Sequence, residues 1–343
     1  MTTWHLTDAD RDFVDRYVTP YLPDKIFDAH AHLFCHAHYP AETMPASYAT
    51  TPPIVGLTVY REAIDWLHPG GRTKGGLYFG LAFLGDRVAN NEFVAREVQT
   101  AQESGFLARG QMLVAPEMEA DYVRQEVRRH GFVGLKPYHL MAQVDGPTFQ
   151  APIEAYLTEA HVQVAHELGL TITLHMVRDR ALADPVNQAT IRRYCASYPN
   201  MRLILAHAAR GFNPWHTIEG IASLRGLQNV WCDTSAVTEA GAFEAIVEVL
   251  GHERLLYGTD FHVSHMRGRC VAIGDSFHWL YAEEMDLAEK HIHLQPVLIG
   301  LESLRSLFLA CHRLKLREEQ VEDIFYGNAD ALFGLSSHSM SLS

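Results

Sequence analysis

The chain has 343 residues, 48% of them hydrophobic and 20% charged, and its 28 Lys and Arg against 41 Asp and Glu leave a formal charge of −13. That balance excludes a nucleic-acid or anionic-membrane surface, both of which need dense positive charge, and the length fits one large α/β barrel or two average domains. The cysteines (Cys35, Cys195, Cys232, Cys270, Cys311) are scattered without a Cys-x-x-Cys, no basic-then-apolar leader opens the chain, and no apolar run nears the ~18 residues of a membrane span. A soluble protein of the reducing cytoplasm is expected.

Thr7–Val18 reads as an N-terminal helix, with Thr7 and Asp10 as a capping box. Short apolar, β-branched runs follow at Ile26–His32, Leu77–Leu84, Gln111–Ala115, Phe132–Pro137, Thr171–Met176, Arg202–Ala208, Asn229–Asp233 and Leu255–Asp260. Between them lie amphipathic stretches such as Asn91–Glu103, Glu117–His130, Pro152–Leu168, Pro185–Tyr198, Pro214–Leu224 and Glu239–Leu250. Asp184, Asn213 and Thr238 suit their N-caps, and Gly105, Gly131, Gly169 and Gly226 precede the next strand, where φ > 0 ends a helix. Eight βα units predict a (β/α)₈ barrel. A doubly wound sheet is the alternative, but the first βα turn lacks Gly-x-Gly-x-x-Gly. A long loop with a helix at Val55–Leu67, suited to a lid or a subunit contact, runs from Leu33 to Gly76. Two helices, Pro296–His312 and Glu318–Leu332, end a single catalytic domain spanning 1–335, and 336–343 reads as a flexible polar tail.

In such a barrel the chemistry sits at strand C-terminal ends, so the alternation of side chains along each strand selects candidates. By that parity Asp28, His30 and His32 project together from the first strand, with Asp28 one layer below, supporting the ligands rather than touching an ion. The fourth strand presents Lys136, the fifth His175, the sixth His207 and the eighth Asp260. Each alone has a bland explanation as a capped strand end or a satisfied core histidine. Together they make a His-rich set that suits zinc, with manganese, iron or cobalt as alternatives.

The combination Asp28-x-His30-x-His32, Gly134-Leu135-Lys136, His175, Ala206-His207-Ala208 and Gly258-Thr259-Asp260 resembles the amidohydrolase superfamily. The ending Tyr326-Gly327-Asn328-Ala329-Asp330-Ala331-Leu332-Phe333 is similar to that of its amidohydrolase-related (type 2) branch. The resemblance implies metal ligation by His30, His32, His175 and Asp260. It implies that His207 is either a ligand of a second metal or a proton-shuttling substrate contact. Lys136 is then a carboxylated bridge between two ions or a substrate-binding residue; one ion is preferred to two. A homodimer or larger homo-oligomer is implied as well. Where the branch often has proline after Gly-Thr-Asp-Phe, this chain has His262, followed by His265 and Arg267, which either line the pocket or belong to a solvated loop.

Such a site implies a hydrolase that acts on an amide or lactone through a metal-activated water, with Asp260 and His207 as catalytic groups. The runner-up is a non-oxidative decarboxylase of an aromatic or unsaturated acid on the same residues. A non-catalytic metal-bound scaffold fits an open mouth less well, and no Gly-x-Ser-x-Gly or His-Glu-x-x-His supports another hydrolase chemistry. Lys136, Arg178, Arg180, Arg210, Arg267 and Arg269 follow strand ends, so a small, anionic, carboxylate-bearing substrate is expected.

Overall fold

The computed structural model describes residues 5–45, 48, 51–284 and 293–336. The expected tail beyond 336 lies outside them. Eight parallel strands follow one another in chain order around the sheet: β1 Ile26–His32, β2 Thr73–Phe79, β3 Leu107–Val114, β4 Gly134–Pro137, β5 Thr171–Leu174, β6 Arg202–Leu205, β7 Val230–Asp233 and β8 Leu255–Leu256. The seam closes where Ala29 N–H donates to Tyr257 O at 2.8 Å, Asp260 N–H to His30 O at 2.8 Å and His32 N–H to Phe261 O at 2.7 Å. Helices between the strands complete a (β/α)₈ barrel, and an antiparallel hairpin, β9 Gly268–Ile273 and β10 Ser276–Tyr281, follows β8.

Local chemistry explains most boundaries. Thr7 and Asp10 form the expected capping box on the helix Asp8–Tyr17, and Asp184 and Asn213 cap Pro185–Ser197 and Pro214–Gly220. Gly105, Gly131, Gly169 and Gly226 all take positive φ. Thr238 differs: Glu239 is the N-cap of Ala240–Leu250, while the Thr238 hydroxyl donates to Cys270 O at 2.6 Å. The second and third strands begin earlier than their apolar runs, at Thr73 and Leu107. Polar Thr73, Lys74 and Arg109 hide these strand starts from a hydrophobicity pattern.

The first strand also departs from strict alternation. Its ladder with β2 shifts between Asp28 and Ala31, so Asp28 and His30 face opposite sides of the sheet. Phe27 and Ala29 pack in an inner cluster with Leu77, Phe79, Ile204 and Leu256. Asp28 instead accepts from Tyr60 Oη at 2.9 Å, on the outer helix Leu57–Ile64, and from Thr259. The expectation that Asp28 points inward beneath the ligands is thereby corrected. The barrel floor is closed by Ala329 and Leu332 from the C-terminal helix Asn328–Phe333 and by Leu335 just beyond it, and no described helix is long and apolar enough to cross a membrane.

Two buried histidines outside the cavity contribute to how stability should respond to acid. His68 bonds Thr73 Oγ1 at 2.9 Å and Tyr257 Oη at 2.6 Å, and Nε2 of His265 donates to Ala63 O at 2.8 Å. Burial lowers the first to about 3 and the second to about 4. Below the unfolded-state value near 6.5 the unfolded chain takes up protons that these rings refuse, so stability falls as pH falls. Each ring should contribute a slope of roughly 1.4 kcal/mol per pH unit between about pH 6 and its folded value. Urea unfolding from pH 7 to 4.5 should show this fall, and His68→Gln should flatten it.

Candidate metal centre

His30, His32 and Asp260 present ligand atoms that all lie within 4.8 Å of one another. Nε2 of His32 is 3.3 Å and Nε2 of His30 3.6 Å from Asp260 Oδ1. Gly258 allows this approach of β8 to β1, since a Cβ there would stand 2.9 Å from His30 Cβ. The three residues sit at the floor of a cavity of about 240 Å³ whose walls include Lys136, His175, His207, Arg210, Tyr138 and Phe212. Hollows of about 390 Å³ beside His68 and about 790 Å³ beside Phe308 share no lining residue with it.

Acceptor-only partners decide which imidazole nitrogen faces the cavity. Nδ1 of His32 lies 2.9 Å from Gly80 O, and Nδ1 of His30 lies 2.8 Å from Asp233 Oδ2. Each Nδ1 must carry the proton, which leaves a lone pair on each Nε2. His207 Nδ1 lies 3.0 Å from Ser235 O, so its Nε2 accepts from His175 Nδ1 at 2.9 Å, and the Nε2 of His175 is left with a lone pair too. His175 stands beside the three-residue set rather than within it. His207 Nδ1 is 3.9 Å from Asp260 Oδ2.

The turn that carries His207 is left-handed: φ is 58°, 51°, 59° and 59° at His207, Ala208, Ala209 and Arg210. Each such L-residue costs roughly 1–2 kcal/mol. The cost is offset by bonds from His207 N–H to Asp233 Oδ1 at 2.8 Å and from Thr217 Oγ1 to Ala208 O at 2.8 Å. This turn brings both His207 and Arg210 to the cavity.

The electrostatics suit a cation. Burial lowers the His30 pKa to about 3, helped by the Lys136 charge and opposed by Asp233, so the ring is neutral. His175 and His207 are lowered by burial as well. Burial lowers Lys136 to about 8, against the pull of Asp233 and Asp260. For Asp233, burial raises the pKa, but His30 outweighs it and brings the value to about 2. For Asp260 burial likewise opposes ionisation, yet the adjoining His32, His207 and His30 rings hold the carboxyl far below its usual range. Two buried carboxylates thus face one buried ammonium, and inward-turned imidazole lone pairs surround them. A divalent ion fits this donor set and would remove the excess negative charge. Lys136 Nζ, 3.2 Å from His30 Nε2, uses the same lone pair and must yield it to such an ion.

Other expected site residues are engaged elsewhere. Arg178 donates to Asp184 at 2.8 Å and Gln150 O at 3.0 Å. Arg267 donates to both Asp10 oxygens, at 2.9 and 2.6 Å, and Arg269 to Thr238 O at 2.9 Å. Arg180 pairs with Glu219 and Asp275. His265 packs on Phe261 behind the site, while the His262 ring packs 4.0 Å from that of Tyr48, a cavity residue, after a cis Phe261–His262 peptide. Arg178, His265 and Arg267, expected to contact substrate, thus each have a partner that the fold supplies, and none of the three lines the cavity. Lys136 and Arg210 do reach the cavity. Sequence reasoning passed over Asp233, although β7 ends in it as β8 leads into Asp260.

The fold and site together define a parallel eight-stranded barrel that carries a candidate His/Asp metal site at its strand ends. The chain belongs to the amidohydrolase family, whose model matches residues 27–335. It is 27% identical over 154 residues to an L-fucono-1,5-lactonase of Burkholderia ambifaria, a match spanning 40% of this chain and 46% of that protein. Among solved structures, a Pseudomonas putida protein assigned as a 2-pyrone-4,6-dicarboxylic acid hydrolase aligns with a TM-score of 0.57 at 19% identity over 92% of this chain and 99% of that one. A zinc-bound amidohydrolase of Burkholderia multivorans aligns at 0.56 and 14% identity over 90% and 99%. A 2,6-dihydroxybenzoate decarboxylase of Rhizobium aligns at 0.56 and 13% over 91% and 99%. At these identities the structural likeness establishes the fold alone.

Asp233 orients His30 from behind, so Asp233→Asn should weaken zinc affinity roughly 10- to 100-fold. Chelator competition on the purified variant measures it, alongside a thermal melt to confirm folding.

Proposed function

We propose that this protein is a metal-dependent hydrolase that opens the ester bond of a small, planar, carboxylate-bearing lactone. The observation that carries the reading is Asp260 flanked by His30 and His32 at the floor of a cavity walled by aromatic rings, with Arg210 on its side. The lactonase relative and the pyrone hydrolase neighbour support the bond type, and amides of similar shape are the next candidates.

A divalent ion in this donor set, zinc first, would polarise the carbonyl and lower the pKa of a bound water from near 16 to about 7. The ionised Asp260 is the base: its carboxylate takes a proton from the attacking water, whose oxygen adds to the carbonyl carbon. Lys136 donates to the oxygen on which negative charge develops. As the carbon–oxygen bond breaks, Asp260 returns its proton to the departing oxygen, so water and lactone leave as a hydroxy acid. Arg210, its guanidinium 5.2 Å from the centre of the Phe277 ring, receives the substrate carboxylate. His207 keeps His175 in the tautomer that faces inward. The free thiols of Cys35, Cys195, Cys232, Cys270 and Cys311 support a cytoplasmic setting.

A second reading, decarboxylation of a ring acid, is favoured by the same aromatic walls and by the decarboxylase neighbour. Zinc-loaded protein screened against carboxylated lactones and ring acids, in water enriched in heavy oxygen, separates the two. Label in an acid product without gas release is the expected result; CO₂ without label would sink the hydrolase assignment. With a substrate in hand, Lys136→Met should lower kcat about 10²- to 10³-fold. Arg210→Gln should raise KM roughly 10- to 100-fold with a smaller change in kcat.

A further inference from the structure

After β8 the hairpin β9–β10 bends back over the cavity. Phe277, Trp279 and Tyr281, alternate residues of β10, line it. The rings of Phe277 and Trp279 lie 5.0 and 5.2 Å from Phe212, which stacks on His207 at 5.1 Å. One aromatic stack therefore connects the hairpin to the site.

A two-stranded ribbon has little stability of its own in water, so its position depends on its ties. Those at its base are buried. Arg267 donates to the carboxylate of the fully buried Asp10 at 2.9 and 2.6 Å and to His5 O at 2.7 Å. Backbone bonds from Ala282 N–H to Arg267 O at 3.0 Å and from Gly268 N–H to Val297 O at 3.1 Å fix the same end.

The ties at the tip are of another kind. Gly274 takes φ +57° in the connection between the strands, and Asn213 Nδ2 donates to Gly274 O at 3.1 Å and Ser276 O at 3.0 Å. The Asp275 carboxylate, 65% exposed, meets Arg180 Nε at 3.2 Å and His216 Nε2 at 3.1 Å. Arg180 is also shared with Glu219. The Asp275–Arg180 pair is exposed, weak and screened by salt, while Asn213 and His216 hold the tip from buried positions; breaking a buried pair such as Asp10–Arg267 leaves a charge stranded. The tip, with its exposed pair, is the less firmly held end.

We infer that the hairpin β9–β10 is a lid over the cavity, with Arg267–Asp10 as its pivot and Asp275, held by Arg180, His216 and Asn213, as its catch. Resting on the reading of this cavity as the active site, the lid admits substrate and lets metal exchange when the catch releases. Arg180 then serves the site by holding the lid rather than by binding the substrate's charge.

Hydrogen–deuterium exchange on the full-length, zinc-loaded protein tests this without turnover, so a wrong assignment of the reaction leaves the result intact. Asp275→Ala and Arg180→Ala, changes at exposed positions that leave the core untouched, should each speed exchange of the 268–281 amides about 2- to 5-fold. Barrel strands should exchange as in the parent. Molar sodium chloride should produce the same acceleration in the parent and little more in Asp275→Ala, and Asp275→Glu should restore slow exchange. Zinc release to a chelator should quicken by a similar factor in both alanine variants. Unchanged exchange at 268–281 in both alanine variants, or acceleration spread evenly through the barrel, would overturn the lid.

Discussion

Asp28 holds the seam on which the whole site is built. Its carboxylate accepts four hydrogen bonds, from His30 N–H at 3.1 Å, Thr259 N–H at 2.9 Å, Tyr60 Oη at 2.9 Å and Thr259 Oγ1 at 2.6 Å. Two of those donors precede or flank the candidate ligands on each side of the closure: the His30 amide on β1, and Thr259 immediately before Asp260. Burial pushes the carboxyl up to about 6 in spite of these bonds. A buried carboxylate without partners is costly, so the four donors must converge on it wherever the barrel closes. The register break in β1 follows from the same demand. It sends Asp28 to the helix side and leaves His30 and His32 facing the cavity.

The imidazoles are prepared by a simple rule. A carbonyl or carboxylate oxygen can only accept, so Gly80 O, Asp233 and Ser235 O each force a proton onto one Nδ1. The opposite nitrogens of His30 and His32 are thereby left as donors of lone pairs to the cavity, and a bond through His207 does the same for His175. The left-handed turn from His207 to Arg210 is the strained element that this scheme requires. It is stabilised from β7 through Asp233, which therefore serves two histidines at once. Removing solvent from two carboxylates and one ammonium leaves a site that favours a further cation.

Much of this was legible in the chain. Capping residues, helix-ending glycines and the repeated βα pattern identified the barrel because they act locally, within one turn or one strand. His30, His32, Lys136, His175, His207 and Asp260, read as candidates from the strand ends, line one cavity because strand ends share one rim in this topology. The missed residue, Asp233, carried the same signal but only a modest one, a single acid at the end of Val230–Asp233. Arg178 and Arg267 were harder to place than Arg210 for a different reason. A guanidinium after a strand end can serve a substrate or a neighbouring acid, and Asp10 lies 257 residues from Arg267.

By itself, then, the sequence determined the βα alternation and the strand-end residues, since each depends on side-chain type and short-range periodicity. Tertiary structure alone decided that Asp28 faces away from the site, that Asp233 stands behind His30, and that Arg267 pairs with Asp10 and Arg180 with Asp275 and Glu219. Those outcomes depend on a register shift and on ion pairs between distant segments, and a buried charge takes whichever partner the closed barrel places beside it.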